Sequence, residues 1–170
     1  MSQTDAFIAK LESLKAGDLA RLRQSIGAGL DDTVECFDLF TGLWWPLRKQ
    51  KRSNVPERQS AWLVAKLYGA FPLPHVPGEP TALPRILRAA EPEPSEEYAR
   101  KRYRRRFDAL LAQPLARLEP HLRWALGAAR QAVGRRRARG IDWVQLLDDL
   151  WQWDRDRDIQ ENWARQYLKP

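Results

Sequence analysis

The sequence predicts an all-α fold, arranged as two small helical bundles joined by a proline-rich loop. Three observations carry that expectation. Apolar residues recur at three- and four-residue spacing along most of the 170 residues, and no alternation of the kind a strand needs runs for more than a few positions. Prolines 72, 74, 77, 80 and 84, with Gly78, forbid regular structure near the middle of the chain. A chain that is 44% hydrophobic can bury one good core or two small ones. The boundary is set in that loop, giving an amino-terminal lobe over 1–80 and a carboxy-terminal lobe over 81–170.

Phe7, Ile8, Leu11 and Leu14 give the first helix, after Thr4 and Asp5. Gly17 is expected to end it and Asp18 to cap a short second helix, with Leu19, Leu22 and Ile26 inward. A third helix starts near Asp31 or Asp32 and carries Val34, Phe37, Phe40 and Trp44, until Pro46 stops it. Pro56 suits the first turn of a fourth, with Ala61, Trp62, Ala65 and Tyr68 on its apolar stripe. After the loop comes a short helix around Leu83, Ile86 and Leu87. Ser95, Glu96 and Glu97 then open a long helix with Tyr103, Phe107, Leu110 and Leu111 toward the core. Pro114 and Pro120 divide the next segment, whose stripe is Leu115, Leu118, Leu122, Leu126, Ala129 and Val133. Asp142 with Gln145 resembles a capping box for a helix bearing Trp143, Leu146, Leu147, Leu150 and Trp151. Ile159, Trp163 and Tyr167 mark the last helix, after Asp158.

The charge is unevenly spread. Residues 100–139 hold thirteen Lys and Arg, twelve of them Arg, against Asp108 and Glu119, a local +11 in a chain of net +7. Such clustering is the footprint of a polyanion-binding surface, because cations gain by releasing counterions condensed on phosphate. Arg favours bidentate phosphate contact over the point charge of Lys. A merely solvated helix face interleaves both signs, whereas Arg100 to Arg106 contains no acid. Arg135, Arg136, Arg137 and Arg139 read as a basic loop, Arg48, Lys49, Lys51 and Arg52 as a basic connector after the third helix, and Arg58 as a further candidate cation.

Catalytic patterns are missing. His75 and His121 have no Cys or carboxylate at metal-ligand spacing, so neither a metal nor a cofactor is expected. Asp154, Asp156 and Asp158 imitate the start of a calcium loop, but Ile159 stands where Gly is needed and Arg165 where the bidentate Glu belongs. Asp148, Asp149 and Asp154 are the only group that invites a metal-dependent nuclease reading, and helical spacing puts only some of them on one face. They are assigned to surfaces and caps. No Gly-rich phosphate loop or nucleophile elbow is present, so the chain is expected not to be an enzyme. The lone Cys36 sits among Val34, Phe37 and Phe40 as a small buried hydrophobe. With no apolar signal core after Met1 and no apolar run of about 20 residues, a cytoplasmic location without membrane contact is expected. Of the eight tryptophans, Trp62, Trp143, Trp151 and Trp163 fall on apolar stripes, and one of the adjacent Trp44 and Trp45 is expected to be exposed.

Several motifs recur in one order: Gly17-Asp18-Leu19-Ala20-Arg21-Leu22-Arg23, Arg105-Arg106-Phe107 before Leu110-Leu111, His121-Leu122-Arg123, Ile141-Asp142-Trp143, Asp149-Leu150-Trp151-Gln152-Trp153 and Ile159-Gln160-Glu161-Asn162-Trp163-Ala164. With these the chain resembles, over nearly its whole length, the CasB family, the small subunit of the type I-E CRISPR surveillance complex Cascade. The resemblance implies an all-helical, non-catalytic protein, present as two head-to-tail copies that contact other Cascade subunits. It also implies partners in the guide RNA, the target DNA and the displaced strand, held to stabilise the R-loop. Arg23, Arg105 or Arg106, Arg123 and Arg155 fall where the family places basic contacts, while Gln24 and Trp124 stand where a second basic residue often follows. The candidate nucleic-acid residues are therefore Arg23, Arg48, Lys51, Arg52, Arg58, Arg105, Arg106, Arg123, Arg135, Arg136 and Arg155. A stand-alone helical DNA-binding regulator is the competing reading, although no helix-turn-helix spacing is clear.

Overall fold

In a computed structural model, residues 2–32, 36–48 and 57–169 are described. Among them are nine α-helices, and the only β-type pairing is an isolated bridge between His75 and Ile141. The fold is all-helical. The chain divides into two compact units, Met1–Pro72 and Leu73–Pro170.

In the first unit, α1 (Gln3–Glu12) begins with a full capping box, in which Ser2 Oγ accepts from Asp5 N and Asp5 Oδ2 accepts from Ser2 N. Phe7, Ile8 and Leu11 are buried along its inner face. The second helix, α2 (Ala16–Gln24), starts one residue before Gly17 instead of being capped by Asp18. Its N-cap is Lys15, which contributes no side-chain bond, so Asp18 sits in the first turn, where a carboxylate favours the positive end of the helix dipole. A 3-10 turn, Leu30–Asp32, comes before α3 (Phe37–Arg48). Pro46 lies inside α3 instead of ending it. It falls in the last turn, where only one ladder bond, to exposed Gly42, is forfeited. Pro56 and Val34 lie outside the described residues.

The centre of this unit is α4 (Arg58–Ala70), buried from Ser60 to Gly69. Gly69 is there because α2 lies against it: a Cβ at this position would sit 2.7 Å from Leu22 Cβ and 2.8 Å from Leu19 O. Trp62 Nε1 and Lys66 Nζ both donate to Ala28 O, at 3.1 and 2.8 Å, tying the turn after α2 to α4. Cys36 is buried beside Ser25 Oγ and Arg21 O, as a packed thiol.

The second unit begins at Leu73 because the proline-rich loop is bonded to it. Trp143 Nε1 donates to Leu73 O at 2.9 Å, Ile141 N to Pro74 O at 3.1 Å, and Val76 N to Ile141 O at 3.0 Å. Gly140 permits this approach, since a Cβ there would meet Pro74 O at 2.2 Å. His75 Nδ1 accepts from Trp143 N at 3.1 Å.

Helices α5 (Leu83–Ala89), α6 (Glu97–Leu111), α7 (Glu119–Gly134), α8 (Trp143–Gln152) and α9 (Asp158–Leu168) follow. α5 packs on α7 and α9, and α6 on α7. Pro120 occupies the first turn of α7, where its missing N–H costs nothing. Asp142 Oδ1 accepts from Gln145 N at 3.0 Å, so the expected cap on α8 is present.

The tryptophans sort differently from the stripe reading. Trp62, Trp143 and Trp163 are buried as expected, but Trp151 is only half-buried and Trp153 takes the core position. The reason is that α8 stops at Gln152, and the turn that follows swings Trp153 inward. There its Nε1 donates to Gln113 O at 2.8 Å and its ring meets Trp163 edge-on at 5.1 Å. Trp45 is 43% exposed, while Trp44 is half-buried.

Candidate nucleic-acid interface

The arginine-rich helix α6 buries Tyr103, Phe107 and Leu110 on one side, which fixes where its charges point. Two of them, Arg100 and Arg104, reach along the flank to a buried acid. Glu91, just after α5, has a carboxylate only 4% exposed, and it receives Arg100 Nε, Arg104 Nη2 at 2.7 Å, Arg88 Nη1 at 3.5 Å and the Tyr167 hydroxyl at 2.5 Å. Burial pushes the Glu91 carboxyl up, but the hydrogen bonds from Tyr167, Arg100 and Arg104 and the charge of Arg88 outweigh it. The net result is a carboxyl held below the usual range, and so an ionised hub joining α5, α6 and α9. The run Arg100 to Arg106 is thus free of acid in sequence but not in space.

The loop after α7 divides in the same way. Arg137 turns back to Glu93 Oε1 at 3.1 Å and Ala89 O at 3.4 Å. Arg135, Arg136 and Arg139 are exposed. Arg136 has φ 58°, and Arg136 N donates to Val133 O while Arg137 N donates to Ala132 O. These are the two bonds of a Schellman cap, with an arginine in the left-handed position that glycine usually fills.

On α6 the outward set is Arg102, Arg105 and Arg106, and on α7 it includes Arg123. None of these, nor Arg135 or Arg136, makes an ion pair among the described residues. Arg123 and Arg135 lie near opposite ends of α7, about 18 Å apart along the helix. Arg155 is exposed in the turn between α8 and α9. In the other unit, Arg23 is exposed on the last turn of α2. Half-buried Arg58 opens α4 and lines a groove with Phe37, Phe40, Thr41, Trp44 and Trp45. Lys51, Arg52 and the Arg48 side chain lie outside the described residues.

Sequence reasoning missed two aromatic residues beside these cations. Tyr98 is 81% exposed, five residues before Tyr103 and off the buried stripe, and that departure is the signal it left. Trp124 is half-buried on α7, with its indole edge-on to Tyr103 at 5.0 Å.

Two of the three aspartates of the nuclease reading, Asp149 and Asp154, do separate work. Asp149 is not at the surface as expected: it is buried, accepting from Trp163 Nε1 and Gln145 Nε2, both at 2.7 Å. Asp154 Oδ1 accepts from Leu115 N at 3.0 Å, and in the same turn Asp156 Oδ1 accepts from Asp158 N at 2.9 Å. Among the described residues no three His, Cys, Asp or Glu side chains converge as a metal site. No helix among them is long and apolar enough to cross a membrane.

The family model for the CRISPR-associated protein Cse2 matches residues 18–168. The chain belongs to the Cse2 family. This is the CasB family of the type I-E Cascade, a family of structural subunits, so the chain is a subunit of a CRISPR Cascade assembly that contains other subunits. A crystal structure of a Cse2-family CRISPR-associated protein from Thermus thermophilus is similar at 26% identity, with 98% of both chains covered and a TM-score of 0.69. A second structure from that organism, described as CasB, gives 26% identity, 98% of both chains and a TM-score of 0.70. M. ruber CasB shares the fold at 24% identity and a TM-score of 0.72, over 98% of this chain and 93% of its own. Comparison with curated protein sequences finds no match.

Proposed function

We propose that this Cse2-family chain is a non-catalytic small subunit whose outward arginines hold guide RNA, target strand and displaced strand by their phosphates, stabilising the R-loop. One observation supports this above the rest. The cations sort into a set paired with Glu91 and Glu93, and an outward set, Arg102, Arg105, Arg106, Arg123, Arg135 and Arg136, with no ion pair among the described residues. Arginines left unpaired in water serve a polyanion better than they serve the fold. Arg23, Arg58 and Arg155 are further candidates, with Arg48, Lys51 and Arg52. Sequence-blind backbone contact suits an assembly in which pairing with the guide carries specificity. Two copies are expected to lie head to tail beside the other Cascade subunits.

The test is a salt titration of binding to single strands and duplexes of unrelated sequence. If about four phosphates are neutralised, a fourfold rise in salt weakens duplex binding by roughly two orders of magnitude. A flat salt response overturns the reading, and a strong preference for one sequence favours a stand-alone regulator. Metal-dependent cleavage by the purified chain that is lost in an Asp148→Asn, Asp149→Asn, Asp154→Asn variant overturns the non-catalytic assignment. Co-purification of a tagged chain with guide RNA and Cascade subunits tests the partners.

A further inference from the structure

An open cleft of about 210 Å³ runs between α6 and α7, lined by Tyr98, Ala99, Arg102, Tyr103, Arg106 and Trp124. Its composition is aromatic and cationic, with no acid in the lining. Tyr98, Arg102 and Arg106 stand four residues apart, so they form one ridge about 12 Å long on α6. Trp124 faces that ridge from α7, and its ring is set by the edge-on contact with Tyr103. Tyr103 is itself fixed by donating its hydroxyl hydrogen to Leu87 O at 2.7 Å. One wall is therefore rigid, while Tyr98, 81% exposed, is free to move over whatever enters.

We propose that this cleft takes one unstacked base of a single-stranded nucleic acid, between Tyr98 and Trp124, with the adjoining phosphates on Arg102 and Arg106. The reading rests on the nucleic-acid function proposed above and adds a base-contacting site to it. A flat π-face lets aromatic side chains hold any base, and flanking arginines supply the phosphate partners and cation–π contact. The cleft is sized for a single ring system and too small for a duplex. The two acids nearest the cleft, Glu96 and Glu97, stand beyond its Tyr98 end, with Glu97 paired to Lys101 at 3.2 Å, so the cations left for phosphates are Arg102 and Arg106.

The test compares, for the purified full chain, a thymidine strand with an abasic strand of equal length and phosphate number, by fluorescence anisotropy at fixed low salt. The wild type is expected to bind the base-bearing strand at least about fivefold more tightly. Tyr98→Ala, at an exposed position, is expected to bring that strand down to the abasic level, and Tyr98→Phe to keep the preference. Arg105→Glu is expected to weaken both strands by the same factor. Equal binding of the two strands by the wild type overturns this inference and leaves the phosphate-binding function standing, whereas failure to bind either overturns both. Loss of Cascade subunits from tagged Tyr98→Ala, with strand preference intact, overturns it in favour of a protein contact.

Discussion

Trp163 donates its indole N–H to Asp149 Oδ2 at 2.7 Å inside the carboxy-terminal unit, joining α9 to α8. Burial pushes the Asp149 carboxyl up to about 6; the bonds from Trp163 and Gln145 oppose the rise, and the charges of Asp148 and Asp142 add to it. An acid whose pKa is raised by folding gives stability that is complete below its ordinary value of 3.8 and is lost as pH climbs through about 6. Melting temperature is therefore expected to contain a component that falls between about pH 4 and pH 7. Asp149→Asn removes it while its amide oxygen still accepts from Trp163, and the variant is expected to be more stable at pH 7 by up to about 3 kcal/mol. An unchanged pH slope in thermal melts would count against this account.

Glu91 has the opposite sign. Its carboxyl is held below its ordinary value, so its contribution is complete above that value and is lost as pH falls through the lowered one. Glu91→Gln is expected to cost about 2 kcal/mol at pH 7, below the usual range for a broken buried pair because Arg88, Arg100 and Arg104 each keep some contact with water. The substitution should also flatten the acid limb of the stability curve. Urea melts at pH 3 and pH 7 read both effects.

Trp153→Ala is expected to destabilise the carboxy-terminal unit by about 3 to 5 kcal/mol, because the ring is 2% exposed, packed on Trp163 and bonded to Gln113 O. Half-buried Trp151→Ala should cost about half as much or less. Equal losses in denaturant midpoint would contradict the assignment of Trp153 to the core.

Local signals are readable in the sequence, and contacts made across distance are not. The α6 register follows from the spacing of Tyr103, Phe107 and Leu110, and the Asp142 cap from a residue three positions away. Glu91 gives no such cue, since Arg100 and Tyr167 lie nine and 76 residues further along and meet it only once α5, α6 and α9 have packed. Extending a helical period past Gln152, where the helix ends, favours Trp151 over Trp153. The charge excess marks a region without separating its paired arginines from its unpaired ones, because that division depends on acids outside the run. Tyr98 and Trp124 come together only through the packing of α6 on α7.

Arg136 holds the left-handed cap position at φ 58°, where an L side chain costs about 1 kcal/mol relative to glycine. Arg136→Gly is therefore expected to raise stability by about that amount while weakening nucleic-acid binding, the exchange anticipated for strain kept at a working site. Thermal melts and anisotropy on the same preparation test the pair. A variant that loses both stability and binding would show that the side chain supports the cap.

The sharpest separation lies within α6. Arg105 and Arg106 are exposed without an ion pair among the described residues, whereas Arg100 and Arg104 converge on Glu91. Charge reversal at Arg105 and Arg106, with or without Arg135 and Arg136, is expected to leave the melting temperature within experimental scatter, because exposed unpaired cations contribute little to folding. Reversal of four cations should remove most of the salt dependence of binding, since each phosphate contact adds about 0.9 to the slope on duplex DNA. Reversal at Arg100 and Arg104 instead sets two acids against the buried Glu91 carboxylate and is expected to lower the melting temperature by several degrees. Incorporation into the Cascade assembly gives a third readout, which the outward variants should keep. If the outward variants melted early and the Glu91 partners governed DNA binding, the division of this helix into a structural flank and a binding face would be reversed.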